Sequence, residues 1–430
     1  MLDRLFKIQL SGSTVRTEII AGLTTFMAMS YIIFVNPNIL SLSGMEKSAL
    51  ITATCLASAF ASLLMGLYAN YPIGLASTMG VNSFFTFVIV KQMGLTWEQA
   101  LTAVLIVSII FVIITIGKIR DLILRAIPKN LRLGIPAGIG IFLMFIGLQQ
   151  TGLIVNNEAT LISLGSLKRP ETLLSIFGLM LMIVFYIKKI TGGILISIVV
   201  TTLLAIPFGI TKAPEGIVSV PPSIAPIFAQ FDFSQILDGN FIMAVFTLLF
   251  LAVFDTIGTL MAVATRANLL DESGHMLRSN RAFLADSIGS TVGSVVGVST
   301  VGAYIESITG VESGGRTGLT AVVVGLLFII AMFISPLISV VPVAAVAPAL
   351  IFVGILMFSL VEYLDFKDWT ELAPAVIAII LTPLTYNIAT GIELSILAYV
   401  ILKVATGKYA DISKTMYILT ILFVLKEIFA

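Results

Sequence analysis

Two carboxylates within apolar stretches are the residues of this chain best suited to chemistry. Asp255 lies among Val253, Phe254 and Ile257, and Glu306 lies in a second apolar run. Ionisable side chains at membrane depth are costly, so each is a candidate functional residue by default. A desolvated carboxyl group can take up a proton near neutral pH and can accept hydrogen bonds from N–H groups of a ligand. The chemistry indicated is proton-linked binding of a polar ligand.

Two short polar breaks of similar sequence interrupt stretches of membrane length. One comprises residues 77–82 and ends at Asn82; the other comprises residues 299–306 and ends at Glu306. Both begin Ser-Thr-x-Gly, and they lie 222 residues apart in a chain of 430 residues. A paired interruption at matching places in two halves is the best sequence indication of a transporter's substrate site.

The composition is that of an integral membrane protein. The chain is 58% hydrophobic and 11% charged, whereas soluble domains carry roughly 25% charged residues. The net charge of +1 gives no support for a nucleic-acid partner. His275 is the single histidine, and the sequence has no phosphate loop, zinc-protease motif or Gly-x-Ser-x-Gly. These patterns disfavour an enzyme, and we expect no cofactor and no metal.

The apolar pattern predicts fourteen membrane spans, each of about 20 residues or fewer where a helix is broken. They fall at residues 17–36, 48–69, 73–90, 99–117, 133–151, 171–187, 192–210, 240–264, 282–297, 298–310, 315–340, 342–361, 370–387 and 389–405. Spans three and ten carry the two breaks. The apolar stretch 415–429 is short, and we favour a helix at the membrane interface over a partial span.

The basic residues indicate how the spans are oriented. Most of the 24 Lys and Arg residues fall on one side; the exceptions are Lys47, Lys91, Lys168, Arg169 and Lys212. By the positive-inside rule both termini are cytoplasmic, in a multi-pass protein of the cell membrane. Seven spans separate equivalent positions of the two halves, and this odd number makes the halves a 7+7 inverted repeat.

The residue types at the two breaks fit short strands. Backbone groups in the membrane must be paired, so irregular backbone survives only against protein or a polar cavity. The Ser-Thr pairs and the following Gly80 and Gly302 would suit two strands that pair, each followed by a half-helix whose amides face the protein centre. The alternative is a pair of ordinary kinks in tightly packed helices. The fold class expected is an all-α polytopic membrane protein with spans 3 and 10 broken by short strands.

Several motifs resemble one transporter family. They are 53–56, 65–72 and 79–85 in the first half, 254–260 in span eight, and 304–307, 310–311 and 314–321 around span ten. They resemble the adenine/guanine/hypoxanthine permeases, the Azg-like branch of the nucleobase–cation symporter-2 family, over nearly the whole chain. The family usually has Pro-Gly where this chain has Ser77-Thr78, a departure that makes the two breaks more alike.

The resemblance implies a core domain and a gate domain. The core would comprise residues 1–130 and 240–340 (spans 1–4 and 8–11), and the gate residues 131–210 and 341–406 (spans 5–7 and 12–14). Residues 211–239 would be an extracellular connector and 407–430 a cytoplasmic tail. The resemblance further implies proton-coupled uptake of the purine nucleobases hypoxanthine, guanine or adenine, and a homodimer held through the gate domains. We expect an elevator-type movement of core against gate.

Asp255, Glu306 and Asn82 are the foremost candidates for the site. We favour Asp255 as the proton-linked group and Glu306 as the principal ligand contact, although the sequence leaves the proton's location between them open. Thr259 lies at i+4 from Asp255, on the same helix face. The Asn82 amide offers donors and an acceptor to an oxopurine edge. The alternative interpretation of Asp255 is a structural residue that is ion-paired or caps a helix. The alternative interpretation of Asn82 is a polar residue that ties the half-helices together.

The remaining candidates come from the two breaks and from span one. Candidate binding residues are Thr78, Gly80, Phe84, Tyr304, Ile305, Thr25 and Ala28, and Tyr31, Phe85 and Phe254 are further candidates to line the site. Asp286 and Glu18 lie near span ends, where we expect them to be solvated or to cap helices. His275 lies in a polar loop and is expected to be solvated.

Alternative functions on the same fold are transport of another nucleobase, such as uracil or xanthine, or of an anion. Two carboxylates in the site argue against an anion, which would favour a neutral or positive site. A channel is a further alternative, but channels use wider pores or repeated rings of charge.

Overall fold

The structure is a computed structural model that describes residues 2–117, 128–214, 216–271 and 276–429. The side chains of Phe254, Ile418, Leu422 and residues 425–429 lie outside this description. The expectations for His275 and for the Phe254 ring therefore fall outside the described part of the chain.

Helices make up most of the described residues. They are α1 (Leu2–Phe6), α2 (Val15–Met29), α3 (Ile32–Leu40), α4 (Lys47–Leu64), α5 (Met79–Ser83), α6 (Trp97–Ile116), α7 (Lys129–Gln150), α8 (Pro170–Ile187), α9 (Gly193–Ala205), α10 (Gly239–Arg266), α11 (Ser279–Val296), α12 (Ser307–Glu312), α13 (Gly318–Ala331), α14 (Ser335–Ser339), α15 (Val343–Phe358), α16 (Trp369–Leu384), α17 (Ile388–Ala405) and α18 (Lys414–Phe429). The strands are β1 (Leu75–Ser77), β2 (Ile154–Asn157), β3 (Leu161–Leu164) and β4 (Val301–Ala303). Wider π-helical turns extend α4 through Met65–Ala69 and α5 through Phe84–Val90.

The helices are those of a membrane protein. Within the described ranges, nine helices are long and apolar enough to cross a membrane, and three shorter apolar helices accompany them. The chain is therefore a helical polytopic membrane protein. The count of fourteen spans remains a prediction.

The β1–β4 pair is a two-stranded antiparallel sheet between segments that are far apart in the chain. Leu75 lies opposite Ala303 and Ala76 opposite Gly302, and the strands are buried. A serine from a neighbouring helix closes the outer edge of each strand. Ser62 of α4 accepts from the Leu75 amide at 2.9 Å and donates to its carbonyl at 3.0 Å; Ser290 of α11 does the same for Val301, at 3.1 and 2.5 Å. The backbone groups of a sheet edge are thus paired in an apolar setting, as they must be.

The long helix α10 places Asp255 near its middle. The Asp238 side chain caps its N-terminus by accepting from the Asn240 amide at 2.8 Å. At about 1.5 Å per residue, the helix carries Asp255 about 24 Å from its first residue. Asp255 thus lies in the middle of an unbroken apolar helix that is long enough to cross a membrane.

Glu18 at the start of α2 is buried, with 0% of its surface exposed. It accepts from the Arg316 amide at 2.9 Å, the Thr317 amide at 3.2 Å and the Thr320 hydroxyl at 2.6 Å. Glu18 therefore binds the segment that leads into α13 and a hydroxyl of its first turn. The expectation of a solvated Glu18 is wrong, because α2 packs against the first turn of α13.

The chain forms two compact units. The first comprises Met1–Ile116 and Gln150–Ala349, and the second Gly117–Gln149 and Leu350–Ala430. Both polar breaks and both strands of the β1–β4 sheet lie in the first unit. The division into core and gate domains at the expected boundaries remains a prediction.

The second unit has its own apolar cluster and a buried ionic cluster. Ala137 of α7 packs with Leu364 and with Leu372, Ala375 and Ile379, the last three on α16.

In the ionic cluster, Lys403 is almost fully buried and lies 3.0 Å from Asp411 and 3.5 Å from both Asp368 and Glu371. Hydrogen bonds from Thr370 and Lys408 hold the pKa of Asp368 well below its usual range. A buried lysine with several carboxylate partners fixes the ends of α16 and α17 together.

Candidate functional site

The two polar breaks meet at their Ser-Thr pairs in the first unit. The Thr78 amide donates to the Thr300 carbonyl at 3.0 Å, and the two threonine hydroxyls lie 2.9 Å apart. The hydroxyls of Ser77 and Ser299 lie 3.3 Å apart. In the sheet Ser77 lies opposite Val301, because β1 ends at the first Ser-Thr pair and β4 begins after the second. The segments that follow the breaks, α5 and Tyr304–Glu312, leave this meeting point.

Asp255 and Asp286 approach β4 at Gly302. A Cβ atom at Gly302 would lie 3.7 Å from Asp255 Oδ2 and 3.8 Å from Asp286 Oδ1, and only 2.6 Å from the Thr78 methyl carbon. A larger residue here would clash with the Thr78 methyl carbon and strain the pairing of β4 with β1. This close approach brings two acidic side chains to one strand.

Asp286 is a functional candidate that the sequence analysis missed. Its side chain is 1% exposed, and it accepts from the Thr256 hydroxyl at 2.8 Å and the Ala303 amide at 3.1 Å. The expectation of a solvated residue near a span end is wrong, because α11 packs along β4. A signal was present: Asp286 and Ser290 are four residues apart, so they share the helix face that binds the strand.

Glu306 follows Tyr304 and Ile305 and occupies the position before the first turn of α12. Its Oε1 accepts from the Tyr31 hydroxyl at 2.5 Å. Helix α10, which carries Asp255, packs against α12, and Asp255 approaches Gly302, four residues before Glu306. The structure thus brings both carboxylates of the sequence analysis into one site, with Asp286 beside them.

Asn82 is fully buried behind the two serines. Its Oδ1 accepts from the hydroxyls of Ser77, at 3.2 Å, and Ser299. Its Nδ2 has no hydrogen-bond partner among the described residues. Asn82 therefore ties the two breaks together through one end of its amide and leaves two N–H donors uncommitted at the other.

The other sequence candidates are distributed around this centre. Tyr304 donates from its hydroxyl to the Ser77 carbonyl at 2.6 Å, and its ring lies 6.4 Å from that of Tyr31. Thr25 is buried on α2 with a hydroxyl that lacks a partner among the described residues. Thr78, Phe84 and Ala28 are also buried, Thr259 and Gly80 are half-buried, and Ile305 is 49% exposed.

The arrangement offers both hydrogen-bond acceptors and hydrogen-bond donors. Carboxylates accept hydrogen bonds only, while the free end of the Asn82 amide donates. Buried aromatic rings of Phe84 and Tyr304 border the same breaks. In the described part of the chain, no group of three or more His, Cys, Asp or Glu side chains is arranged to hold a metal ion.

Sequence comparison identifies permeases as relatives along the full chain. The chain is 44% identical over 429 residues to the adenine permease AdeP of Escherichia coli (strain K12), covering 100% of this chain and 96% of that protein. It is 41% identical over 435 residues to the guanine/hypoxanthine permease PbuG of Bacillus subtilis (strain 168), covering 99% of each. The resemblance to the adenine/guanine/hypoxanthine permeases is thereby confirmed.

Structural comparison finds the same fold in transporters of low sequence identity. The transmembrane domain of a cyanobacterium bicarbonate transporter, BicA, superposes with a TM-score of 0.65 at 17% identity, covering 88% of this chain and 97% of that domain. SLC26A9 superposes with a TM-score of 0.62 at 14% identity, covering 93% and 68%. Residues 16–394 match the Permease family, Xan_ur_permease, and the chain belongs to that family.

Proposed function

We propose that this protein is a proton-coupled symporter that imports purine nucleobases: hypoxanthine, guanine or adenine. The observation that carries the proposal is the approach of Asp255 to the second break, which ends at Glu306, in a chain related to adenine and guanine/hypoxanthine permeases. Purine edges present N–H donors to carboxylates and ring-nitrogen or carbonyl acceptors to the Asn82 amide. The unpaired N–H donors of the Asn82 amide could bind these ring-nitrogen or carbonyl acceptors.

The distribution of hydrogen-bond donors supports Asp255 as the group that carries the proton. Glu306 receives a bond from Tyr31, and Asp286 receives bonds from Thr256 and Ala303, whereas Asp255 receives none from the described residues. Hydrogen bonds donated to a carboxylate stabilise its charge. Asp255 lacks that support and shares its approach to Gly302 with Asp286, so a proton on Asp255 removes a charge that no described donor stabilises.

The two breaks support an inverted repeat of seven spans in each half. The hydroxyl contacts Ser77–Ser299 and Thr78–Thr300 join residues 222 positions apart, and β1 and β4 run in opposite directions. The topology we propose has fourteen spans with both termini in the cytoplasm, in the cell membrane. Neutral Asp255 and a neutral base would then cross the apolar barrier together without an unpaired charge.

The elevator-type movement is proposed for a core of residues 1–130 and 240–340 against a gate of residues 131–210 and 341–406, in a homodimer held through the gates. Its support is that every described residue of the candidate site lies in the proposed core and within one compact unit, which also contains residues 150–210 of the proposed gate. A site built within one body can be carried without being taken apart.

The proposal is tested with purified protein in liposomes. An inward proton gradient should drive accumulation of radiolabelled hypoxanthine, guanine or adenine, and a protonophore should abolish that accumulation. Empty liposomes correct for leakage, and labelled uracil, xanthine, bicarbonate and sulfate test the alternative substrates. Purine uptake that is equal with and without the gradient contradicts the proton coupling, and uptake of an anion in place of purines contradicts the substrate class.

A further inference from the structure

Tyr31 lies where the first apolar span changes from one helix to the next. Helix α2 ends at Met29 and α3 begins at Ile32, and Tyr31 is 1% exposed between them. Its hydroxyl donates to Glu306 Oε1 at 2.5 Å across 275 residues of sequence. A residue of the first predicted span thus contacts Glu306 of the second break directly.

The position of Tyr31 is fixed by close packing between α2 and α12. Gly310 of α12 lies against Thr25 of α2, where a Cβ atom would overlap the Thr25 hydroxyl and lie 2.6 Å from the Ala21 carbonyl. Farther along α2, Glu18 binds the start of α13. Two tethers on one helix hold the phenol at a set distance from Glu306.

Tyr31 and Tyr304 are neighbouring rings with different partners. Tyr304 donates to the Ser77 carbonyl and so supports the strands, whereas Tyr31 donates to a side chain that can move. A glutamate has three side-chain torsions, and a contact that fixes them before the ligand arrives lowers the entropy lost on binding. Such fixing matters most at a carboxylate that must meet a flat ligand in its own plane.

We propose that Tyr31 is a positioning residue for Glu306: its hydroxyl holds Oε1 and turns Oε2 toward the base. The inference rests on the proposed purine function. Because the phenol occupies one carboxylate oxygen, Glu306 has a single oxygen left to accept a hydrogen bond from a purine N–H. That oxygen accepts the bond from one direction. Tyr31 therefore affects which N–H positions of the purine are accepted, and not only how tightly a purine binds.

The first experiment measures binding of adenine, guanine and hypoxanthine to purified wild-type protein, then to Tyr31→Phe with the tightest of the three. We expect the variant to bind about tenfold more weakly, the scale of one hydrogen bond to a charged group. The matched control is Tyr399→Phe, which removes a buried hydroxyl that donates to the Asp411 carbonyl at 3.1 Å in the second unit. Its affinity for the purine should equal that of the wild type at a similar change in melting temperature.

The second experiment separates positioning from a general weakening of the site. N1-, N7- and N9-methyl derivatives of the same purine compete in the wild type, and the most strongly rejected one identifies the N–H that Glu306 reads. In Tyr31→Phe the rejection of that derivative should fall several-fold, while rejection of the others should stay constant. Equal losses for all derivatives would overturn the inference.

A third variant asks whether Tyr31 acts through Glu306. Glu306→Asp withdraws the carboxylate from the phenol, so adding Tyr31→Phe to it should cost less than twofold further. A full tenfold loss in that background would show an independent role and overturn the inference. Failure of wild-type protein to bind any purine would contradict the proposed function itself, which is a separate outcome.

Discussion

The two polar breaks share a strand pairing and differ in chemistry. Each contains Ser-Thr-x-Gly and joins a three-residue strand whose outer edge is paired by a serine from a neighbouring helix. In the first break the strand ends at the Ser-Thr pair, and in the second it begins after that pair. The first break ends in the amide Asn82 and the second in the carboxylate Glu306. A shared sheet thus supports unequal ligand contacts.

The difference extends to the helices that surround the breaks. The three acidic residues of the candidate site, Asp255, Asp286 and Glu306, are in the second half of the chain. The first half contributes the phenol of Tyr31, the Asn82 amide and apolar walls. In the proposed transporter, a single set of acidic groups would avoid placing like charges on both sides of the ligand.

The largest effect is expected from Glu306→Gln, which removes the charge but keeps the size of the side chain. Purine affinity should fall about 100-fold, since a charge-assisted contact of roughly 2–3 kcal/mol is lost. The measurement is equilibrium binding of labelled purine to purified protein. Glu312→Gln is the matched control, because Glu312 lies in the same helix α12 and is exposed; it should leave the affinity unchanged. Unaltered binding by Glu306→Gln would remove this residue from the site.

Asp286→Asn tests whether the second half needs its third carboxylate. The amide oxygen can still accept a bond from Ala303 or Thr256, so we expect the fold to survive with a loss of about 1–3 kcal/mol in stability. Proton-driven purine uptake should fall at least tenfold, since the charge that faces Asp255 at Gly302 is gone.

Ser290→Ala is the comparison for Asp286→Asn, because Ser290 binds β4 from the same face of α11 without a charge. If both variants lose uptake in proportion to their melting temperatures, Asp286 serves the strand alone and its role in the transport site is refuted.

The candidate site could be predicted in part because two of its features are local. A charge within an apolar run is visible in the sequence, and this identified Asp255 and Glu306; the repeated Ser-Thr-x-Gly identified the breaks. The family could also be predicted from the sequence, because its motifs around Asp255 and Glu306 are contiguous. The helical membrane fold followed from apolar stretches of sufficient length.

The contacts that complete the site depend on which helix packs beside which strand. Asp286 resembles a span-end residue until α11 is placed along β4, and Tyr31 is one more aromatic residue until α2 is placed against α12. Glu18 likewise resembles a solvated residue near a span end until α2 is placed against α13. Each of these three residues meets a partner that sequence spacing alone does not identify.

The smallest effects are expected where the two Ser-Thr pairs meet. Thr78→Val and Thr300→Val each remove one hydroxyl of the same pair, whose oxygens lie 2.9 Å apart. Thr300→Val leaves the Thr78 hydroxyl its contact with the carbonyl of residue 300 at 3.4 Å, whereas Thr78→Val leaves the Thr300 hydroxyl no partner among the described residues. Each variant should therefore lose about 1 kcal/mol of stability, Thr78→Val more than Thr300→Val. The double variant leaves neither hydroxyl unpaired and should lose less than the sum of the two. Unfolding in mixed detergent micelles measures all three. Equal single losses would show that the contact of the Thr78 hydroxyl with the carbonyl of residue 300 contributes nothing to stability.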